Sequence, residues 1–257
     1  MRPLADQTIL VTGSTDGHGR RVAEELARRG AAVVVHGRDP GRTRAVASEI
    51  GAGSALVADL SSLGEVRRLA GAVGRIDTLV NNAGTLSPER RTSRDGHELT
   101  LAVNYLSHFM LTALLLDRLR EPARIVNVAS IGQAPFDFDD PMYERDYDGY
   151  GAYARSKLAQ IIATFELADR LGDREVTVNA LHPATLMDTK MVRETLGRPH
   201  TTVEEGAQAT LHLVTDPALD GVSGRFFNGT REARANEQAY DSEARRRLWE
   251  LSERLTA

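Results

Sequence analysis

Short β-branched runs alternate with longer stretches of helical spacing along the whole chain. Thr8–Val11, Ala31–Val35, Ser54–Ala58, Ile76–Val80, Ile125–Val128, Val176–Leu181 and Gly221–Phe227 have the length and the apolar content of buried strands. Val22 and Leu26 mark a first helix that stops at Gly30. Glu98–Leu119 is apolar on nearly every side (Leu99, Leu101, Val103, Leu106, Phe109, Met110, Leu111, Leu114–Leu116), which predicts a buried or interface helix. In Gly149–Leu171 the residues Ile161, Ile162, Phe165, Leu167 and Leu171 recur at helical spacing, so this stretch reads as a helix packed on a core. Val203–Val214 is a further helix, and residues 238–256 end in one that sets Leu248, Trp249, Leu251 and Leu255 against charged positions. Strand and helix in alternation predict an α/β fold: a doubly wound parallel sheet of about seven strands with helices on both faces. No repeat or linker interrupts the pattern, so residues 1–257 form one domain. Two stretches lack periodicity, and we read 135–149 as a loop over the active site and 185–205 as a lid.

Composition narrows the class without naming a function. The 257 residues are 41% apolar and 26% charged with a net charge of −4, ordinary for a globular domain with a sizeable core. No basic excess points to nucleic acid or an anionic membrane. Cysteine is absent, which excludes disulfides and thiol catalysis. Met1–Gln7 carries no long apolar region and Phe109–Leu116 is too short to span a bilayer, so the expectation is a cytoplasmic protein with no membrane anchor. The seven His residues form no metal-ligand pattern, and Ala129-Ser130-Ile131 is not a nucleophile elbow.

The chemistry collects where strands end. After the first strand comes Thr12-Gly13-Ser14-Thr15-Asp16-Gly17-His18-Gly19 and then a helix. Glycines there let the backbone turn sharply and approach a pyrophosphate lying on the helix N-terminus, although the spacing is Gly-x-x-x-Gly-x-Gly. The second strand ends His36-Gly37-Arg38-Asp39. A carboxylate at that edge takes a ribose 2′-hydroxyl and an Arg accommodates a 2′-phosphate, so Gly37 followed by Arg38 favours NADP(H) over NAD(H), with Arg42 as a second candidate. Asp39 either dissents or caps the next helix ahead of Pro40. Asp59-Leu60 closes the third strand, where Asp59 either meets an adenine or caps a helix, and Asn81-Asn82-Ala83-Gly84 closes the fourth. Asn104 is a lone amide in the apolar helix, Ser130 falls at the end of the fifth strand, and His182-Pro183-Ala184-Thr185 follows the sixth. Tyr153 and Lys157 lie four apart, hence on one helical face. An ammonium beside a phenol favours the phenolate and lowers its pKa from about 10 toward the working pH. The chain has six tyrosines, and only Tyr153 has a Lys four residues on. Only Lys157 and Lys190 stand among 32 basic residues, and ammonium and guanidinium do not substitute freely at a tuned site.

In this order the pieces resemble the short-chain dehydrogenase/reductase family over almost the whole chain, and with it a Rossmann-type fold. The motifs that carry the resemblance are Thr12–Gly19, Asn81–Gly84, Asn104, Ser130, Tyr153 with Lys157, and the Pro183 turn. The long Ser130–Tyr153 spacing, the run Tyr-Ala-Arg-Ser-Lys-Leu-Ala and the terminal Leu-Trp-Glu-Leu-Ser-Glu are similar to the retinol-dehydrogenase-like branch, whose membrane-bound members carry an N-terminal anchor. The resemblance implies an NADP(H)-dependent oxidoreductase moving a hydride between nicotinamide and the carbonyl or alcohol of a small or medium organic substrate. It makes Tyr153 the proton donor, gives Lys157 the tyrosine pKa and the ribose hydroxyls, sets Ser130 on the substrate oxygen, and has Asn104 hold a water linking Lys157 to solvent. It places the nucleotide on Gly13, Ser14, Thr15, Asp16, Gly17, His18, Gly19, Arg38, Asp59, Leu60, Asn81, Ala83, Gly84, Tyr153, Lys157, Pro183 and Thr185, with no metal. Three positions depart from the pattern: His18 replaces an aliphatic residue, Ala184 replaces a glycine, and the lid threonine is displaced to Thr189, with Asp188 in its expected place. An epimerase or dehydratase on the same fold, or a dinucleotide-sensing regulator without turnover, are the alternatives. Monomer or homo-oligomer stays open.

Overall fold

A computed structural model describes residues 1–257. Seven parallel strands and one antiparallel edge strand form a single sheet in the order β3-β2-β1-β4-β5-β6-β7-β8. They are β1 (Thr8–Val11), β2 (Ala32–Gly37), β3 (Ser54–Val57), β4 (Ile76–Asn81), β5 (Leu119–Val128), β6 (Val176–His182), β7 (Phe226–Asn228) and β8 (Arg231–Ala233). The eighth strand and the shortness of β7 depart from the seven-strand expectation: the chain turns at Gly229 (φ +61°) and folds back on β7, pairing Phe227 with Glu232. Strand order reverses on either side of β1, where β2 and β4 flank it, and open α/β sheets take their ligands beyond the carboxyl ends of the strands at such a point.

The helices are α1 (Gly17–Arg28), α2 (Pro40–Glu49), α3 (Leu63–Ala72), α4 (Leu99–Leu101), α5 (Ser107–Leu115), α6 (Gly149–Leu171), α7 (Val203–Thr215) and α8 (Ser242–Thr256). Side chains of α1, α2 and α7 pack with Ile9, Val11, Val33 and Val35 on one face of the sheet. On the other face, α3, α5 and α6 enclose Leu10, Leu79, Ile125 and Val178. Local chemistry sets the ends. Asp148 caps α6 by accepting from the Gly151 N–H at 2.7 Å, and Gly172 (φ +55°) stops it, so the helix has the bounds its periodicity predicts.

The apolar segment expected as one helix over Glu98–Leu119 is helical throughout Leu99–Arg118, with Glu98 as its N-cap, but its pitch changes along the way. Ala102–Leu106 forms a π-helical turn between α4 and α5, and Leu119 already belongs to β5. Widened turns of this kind recur at functional sites, and Asn104 sits inside this one. Leu99–Arg118 reaches membrane-spanning length and apolarity, longer than the Phe109–Leu116 run suggested, and 67% of its most apolar window is buried in the fold. A core helix passes the same test. Helix α8 lies across this region: Trp249 meets Phe109 edge-on at 4.8 Å, Arg170 covers the Trp249 ring, and the Tyr105 and Ser252 hydroxyls bond at 2.6 Å.

Candidate active site

At the turn after β1 the backbone is over-determined. Gly13 adopts φ +63° and lies so close to Ala83 that a Cβ would stand 2.9 Å from its Cα. Its N–H donates to His36 Nδ1 at 3.1 Å, while His36 Nε2 faces the Ala58 carbonyl at 3.2 Å. That pairing needs a neutral ring, and burial pushes the His36 pKa down to about 4. The Ser14 hydroxyl donates to the Val11 carbonyl and accepts from the His36 N–H, so it holds the turn to β2 and its one donor is spent. Gly19 faces Asn82, whose amide donates to the Thr12 and Gly13 carbonyls. The same amide oxygen meets His18 Nδ1 at 2.7 Å, and His18 Nε2 reaches the Thr210 hydroxyl on α7. His18 thus ties the turn to β4 and α7 through bonds that an aliphatic residue would lack. Asp16 caps α1 through the Gly17 N–H, and the next two N–H groups, of His18 and Gly19, have no acceptor within the chain. A phosphate fits there.

At the end of β2, a Cβ on Gly37 would stand 2.5 Å from Thr15 Cγ2 and 2.8 Å from Thr43 Oγ1. A side chain there would have to displace Thr15 and Thr43. Arg38 stands exposed without an ion pair. Asp39 is the N-cap of α2, accepting from the Arg42 N–H at 2.7 Å, and Arg42 pairs with Asp16 at 3.4 Å. Asp59 accepts from the Ser61 N–H through Oδ1, its own N–H donates to Glu65 Oε2, and the Leu60 side chain is in the core.

Two sequence expectations need correction. Asn81 does not face the crevice: it is fully buried, and its amide donates to Thr112 Oγ1 and Asn127 Oδ1. The β4–β5 register sets it opposite Asn127, and alternation then turns Asn82 toward the glycine-rich turn instead. The second correction concerns the tyrosine. Burial pushes the Tyr153 pKa up to about 12, with Ser130 pulling it back and Tyr150 adding to the rise. Lys157 does not offset that burial. Its Nζ lies 5.5 Å from the ring centroid, and burial pushes its own pKa down to about 7.

The groups expected to react nonetheless lie close together. Ser130, at the end of β5, lies near enough to Tyr153, one turn into α6, to pull its pKa down, and the Gly132 N–H donates to Ser130 Oγ at 3.0 Å. Lys157 Nζ donates to the Val128 carbonyl (2.8 Å) and to Gln160 Oε1 (2.9 Å). Asn104 closes the back: its Oδ1 accepts from the Thr85 N–H and its Nδ2 donates to the Thr85 carbonyl and to Ser156 Oγ, which donates to the Tyr153 carbonyl. A Cβ on Gly84 would meet Asn104 Oδ1 at 3.6 Å and Lys157 Nζ at 3.8 Å, and Gly84 itself lies exposed. Bare backbone next to the ammonium is the cradle a flat ring requires. Pro183 is buried beside the site, while the exposed Thr185 hydroxyl bonds His182 Nε2. Thr189 lies against Gly17, and Asp188 points to Arg193, so the displaced threonine is the one that meets the glycine-rich turn.

The family model for short chain dehydrogenase matches residues 7–198. The chain belongs to this family. It is 37% identical to retinol dehydrogenase 13 of Mus musculus, over 98% of this chain and 84% of that protein. Retinol dehydrogenase 14 of Homo sapiens is 36% identical, with 96% and 85% covered. Among solved structures, an uncharacterized protein from Mycobacterium Paratuberculosis superposes with a TM-score of 0.84 at 31% identity, covering 100% of this chain and 95% of its own. More distant short-chain dehydrogenase structures hold either nucleotide. A 3-ketoacyl-(acyl-carrier-protein) reductase from Brucella melitensis is complexed with NADH (26% identity, TM-score 0.71, 88% and 97% covered). A short chain dehydrogenase from Shigella flexneri is complexed with NADP (27% identity, TM-score 0.71, the same coverage). This short-chain dehydrogenase is therefore an oxidoreductase of the alcohol and carbonyl class, like its retinol-dehydrogenase-type relatives. Sequence reasoning missed Asn82, Gln133 and Gln160. Gln133 donates to the Ser130 carbonyl and accepts from the Asn236 N–H, fixing the strand end from the far side.

Proposed function

We propose that this protein is an NADP(H)-dependent carbonyl reductase, with Tyr153 as proton donor, Ser130 as the second donor to the substrate oxygen, and Lys157 and Asn104 in support. The observation that carries the reading is that Ser130, Tyr153 and the buried Lys157 gather beside the exposed backbone of Gly84. Bound nicotinamide supplies or accepts the hydride. Tyr153 is held protonated at neutral pH, which suits a group that gives its proton to a forming alkoxide. Ser130 Oγ, fixed by the Gly132 N–H, is a preorganised donor where charge develops. Lys157 is the only cation of the site, aimed at the cleft by two fixed acceptors.

The preference for NADP(H) rests on the end of β2. A side chain at Gly37 would have to displace Thr15 and Thr43, Asp39 is engaged as a cap, and Arg38 keeps a free guanidinium for a 2′-phosphate. The loop 135–149 and the lid 185–205 complete the proposal as the substrate-facing segments. The aliphatic Ile131 and the aromatic Tyr150, both exposed, flank Ser130 and Tyr153 and favour an apolar carbonyl compound. A cytoplasmic, membrane-free setting belongs to the same proposal and is tested by fractionation. The direct test is a panel from aromatic ketones to aldehydes, with NADPH consumption followed by absorbance. Turnover with NADPH well above that with NADH is expected, and a chain that binds the nucleotide but turns over nothing in either direction would be a regulator instead.

A further inference from the structure

Lys157 spends two of its three N–H groups inside the protein. One acceptor is the Val128 carbonyl, which the sheet fixes. The other is a side chain, Gln160, one turn along α6. The far end of that amide is also occupied: Gln160 Nε2 lies 2.9 Å from His108 Nδ1 on α5. An amide that turns its oxygen to the lysine must turn its nitrogen to the histidine, so His108 Nδ1 accepts and the ring proton sits on Nε2. Burial holds the ring neutral, pushing the His108 pKa down to about 3, with Lys157 adding to the effect. The backbone beneath is locked as well. Thr164 Oγ1 donates to the Gln160 carbonyl and accepts from Asn127, which accepts in turn from the buried Asn81.

From this we infer that Gln160, oriented by His108, is a positioning residue: it holds the Lys157 ammonium in its charged form and aims the remaining N–H at the cleft. The inference rests on the reading of Lys157 as the functional cation of the site. No carboxylate pairs with Lys157, and the titratable groups in its field are Tyr153 on α6, His108 on α5 and His18 on α1. The Gln160 oxygen is therefore the only side-chain acceptor that favours the charge. A protonated His108 would face the Gln160 N–H groups, turn the amide over and set its nitrogen against the ammonium.

The chain has only two lysines, Lys157 and the exposed Lys190, so carbon-13 labelling of lysine Cε gives two resonances, one serving as the internal reference. In the wild type, Lys157 titrates well below the ordinary lysine range. In Gln160→Leu its midpoint falls by about one pH unit, the loss expected for one hydrogen bond to a charged group. In Gln160→Glu, nearly the same shape with a full negative charge, it rises. The alkaline limb of kcat/KM for carbonyl reduction follows the same shifts in both variants. A Lys157 titration unmoved in the folded Leu variant overturns the inference. Should that variant not fold, an unmoved midpoint in the Glu variant overturns it instead. The resonance needs no substrate, so a failed carbonyl panel with shifted titrations would refute only the proposed reaction.

Discussion

The turn after β1 and the crevice between β5 and α6 lie along one sheet edge and are built on opposite principles. At the turn, side chains that look suited to a ligand are consumed by the protein itself. Ser14 joins β1 to β2, Asn82 closes the loop, His36 and His18 brace it from two sides, and Asp39 serves α2. What remains at the turn itself is backbone, the N–H groups of His18 and Gly19 with space kept by glycine, and beyond it the free guanidinium of Arg38. In the crevice the backbone is the support and the side chains carry the chemistry. Val128, Gly132 and Thr85 contribute carbonyls and N–H groups that fix Lys157, Ser130 and Asn104. Under the proposed function, the part that would hold a phosphate is made of main chain and the part that would move a proton is made of titratable side chains.

Substitutions in the two regions should therefore separate folding from turnover. The largest effect belongs to Tyr153→Phe, expected to lower kcat by on the order of a thousandfold while Tm and NADPH affinity stay near wild type. A near-normal kcat would contradict the proton-donor assignment. Next comes acid. His36 is neutral in the fold with a pKa of about 4, whereas the unfolded chain takes up that proton below about 6.5. Its contribution is complete above pH 6.5 and is lost as pH falls toward 4. This amounts to roughly 3 kcal/mol, readable as a falling urea midpoint. His36→Gln should flatten that slope, and an unchanged slope would place the acid lability elsewhere.

Smaller effects sharpen the contrast. In Gly19→Ala the new Cβ would stand 2.2 Å from Asn82 Nδ2 and 2.4 Å from the Gly13 carbonyl oxygen. Calorimetry should show a loss of about 1–3 kcal/mol, typical of overpacking, together with weakened nucleotide binding. Arg38→Ala should weaken NADPH roughly tenfold, the value of one charge-assisted contact, and leave NADH nearly unchanged by titration. Equal losses for both would move the 2′-phosphate elsewhere. Ser14→Ala should remove about 1 kcal/mol of stability with unaltered kcat, since its hydroxyl bonds only backbone.

Periodicity and turn chemistry made the parallel sheet, the α6 bounds and the Tyr153–Lys157 pair legible in the sequence. The two asparagines of Asn81-Asn82 were not separable there, because which one faces the core depends on the β4–β5 register, a property of two strands distant in sequence. The tyrosine pKa failed for a related reason: spacing reports that a cation is near but not how dry both groups are, and burial outweighs proximity here. His18 stood out as a polar residue where an aliphatic one is usual, yet its partner Thr210 lies 192 residues away. Gln160 gave no signal, since a glutamine on a helix reads as solvent-facing until His108 is seen across from it.

Helix α8 has a last consequence. By setting Trp249 on Phe109 and Leu248 among Leu158 and Ile162, it shields the α5–α6 surface with the chain's own tail. Clipping before Ser242 would bare a greasy flank beside the Lys157 scaffold, and the shortened protein should seek a sister molecule to cover it. Light scattering would then register association where the intact chain has already supplied its own lining.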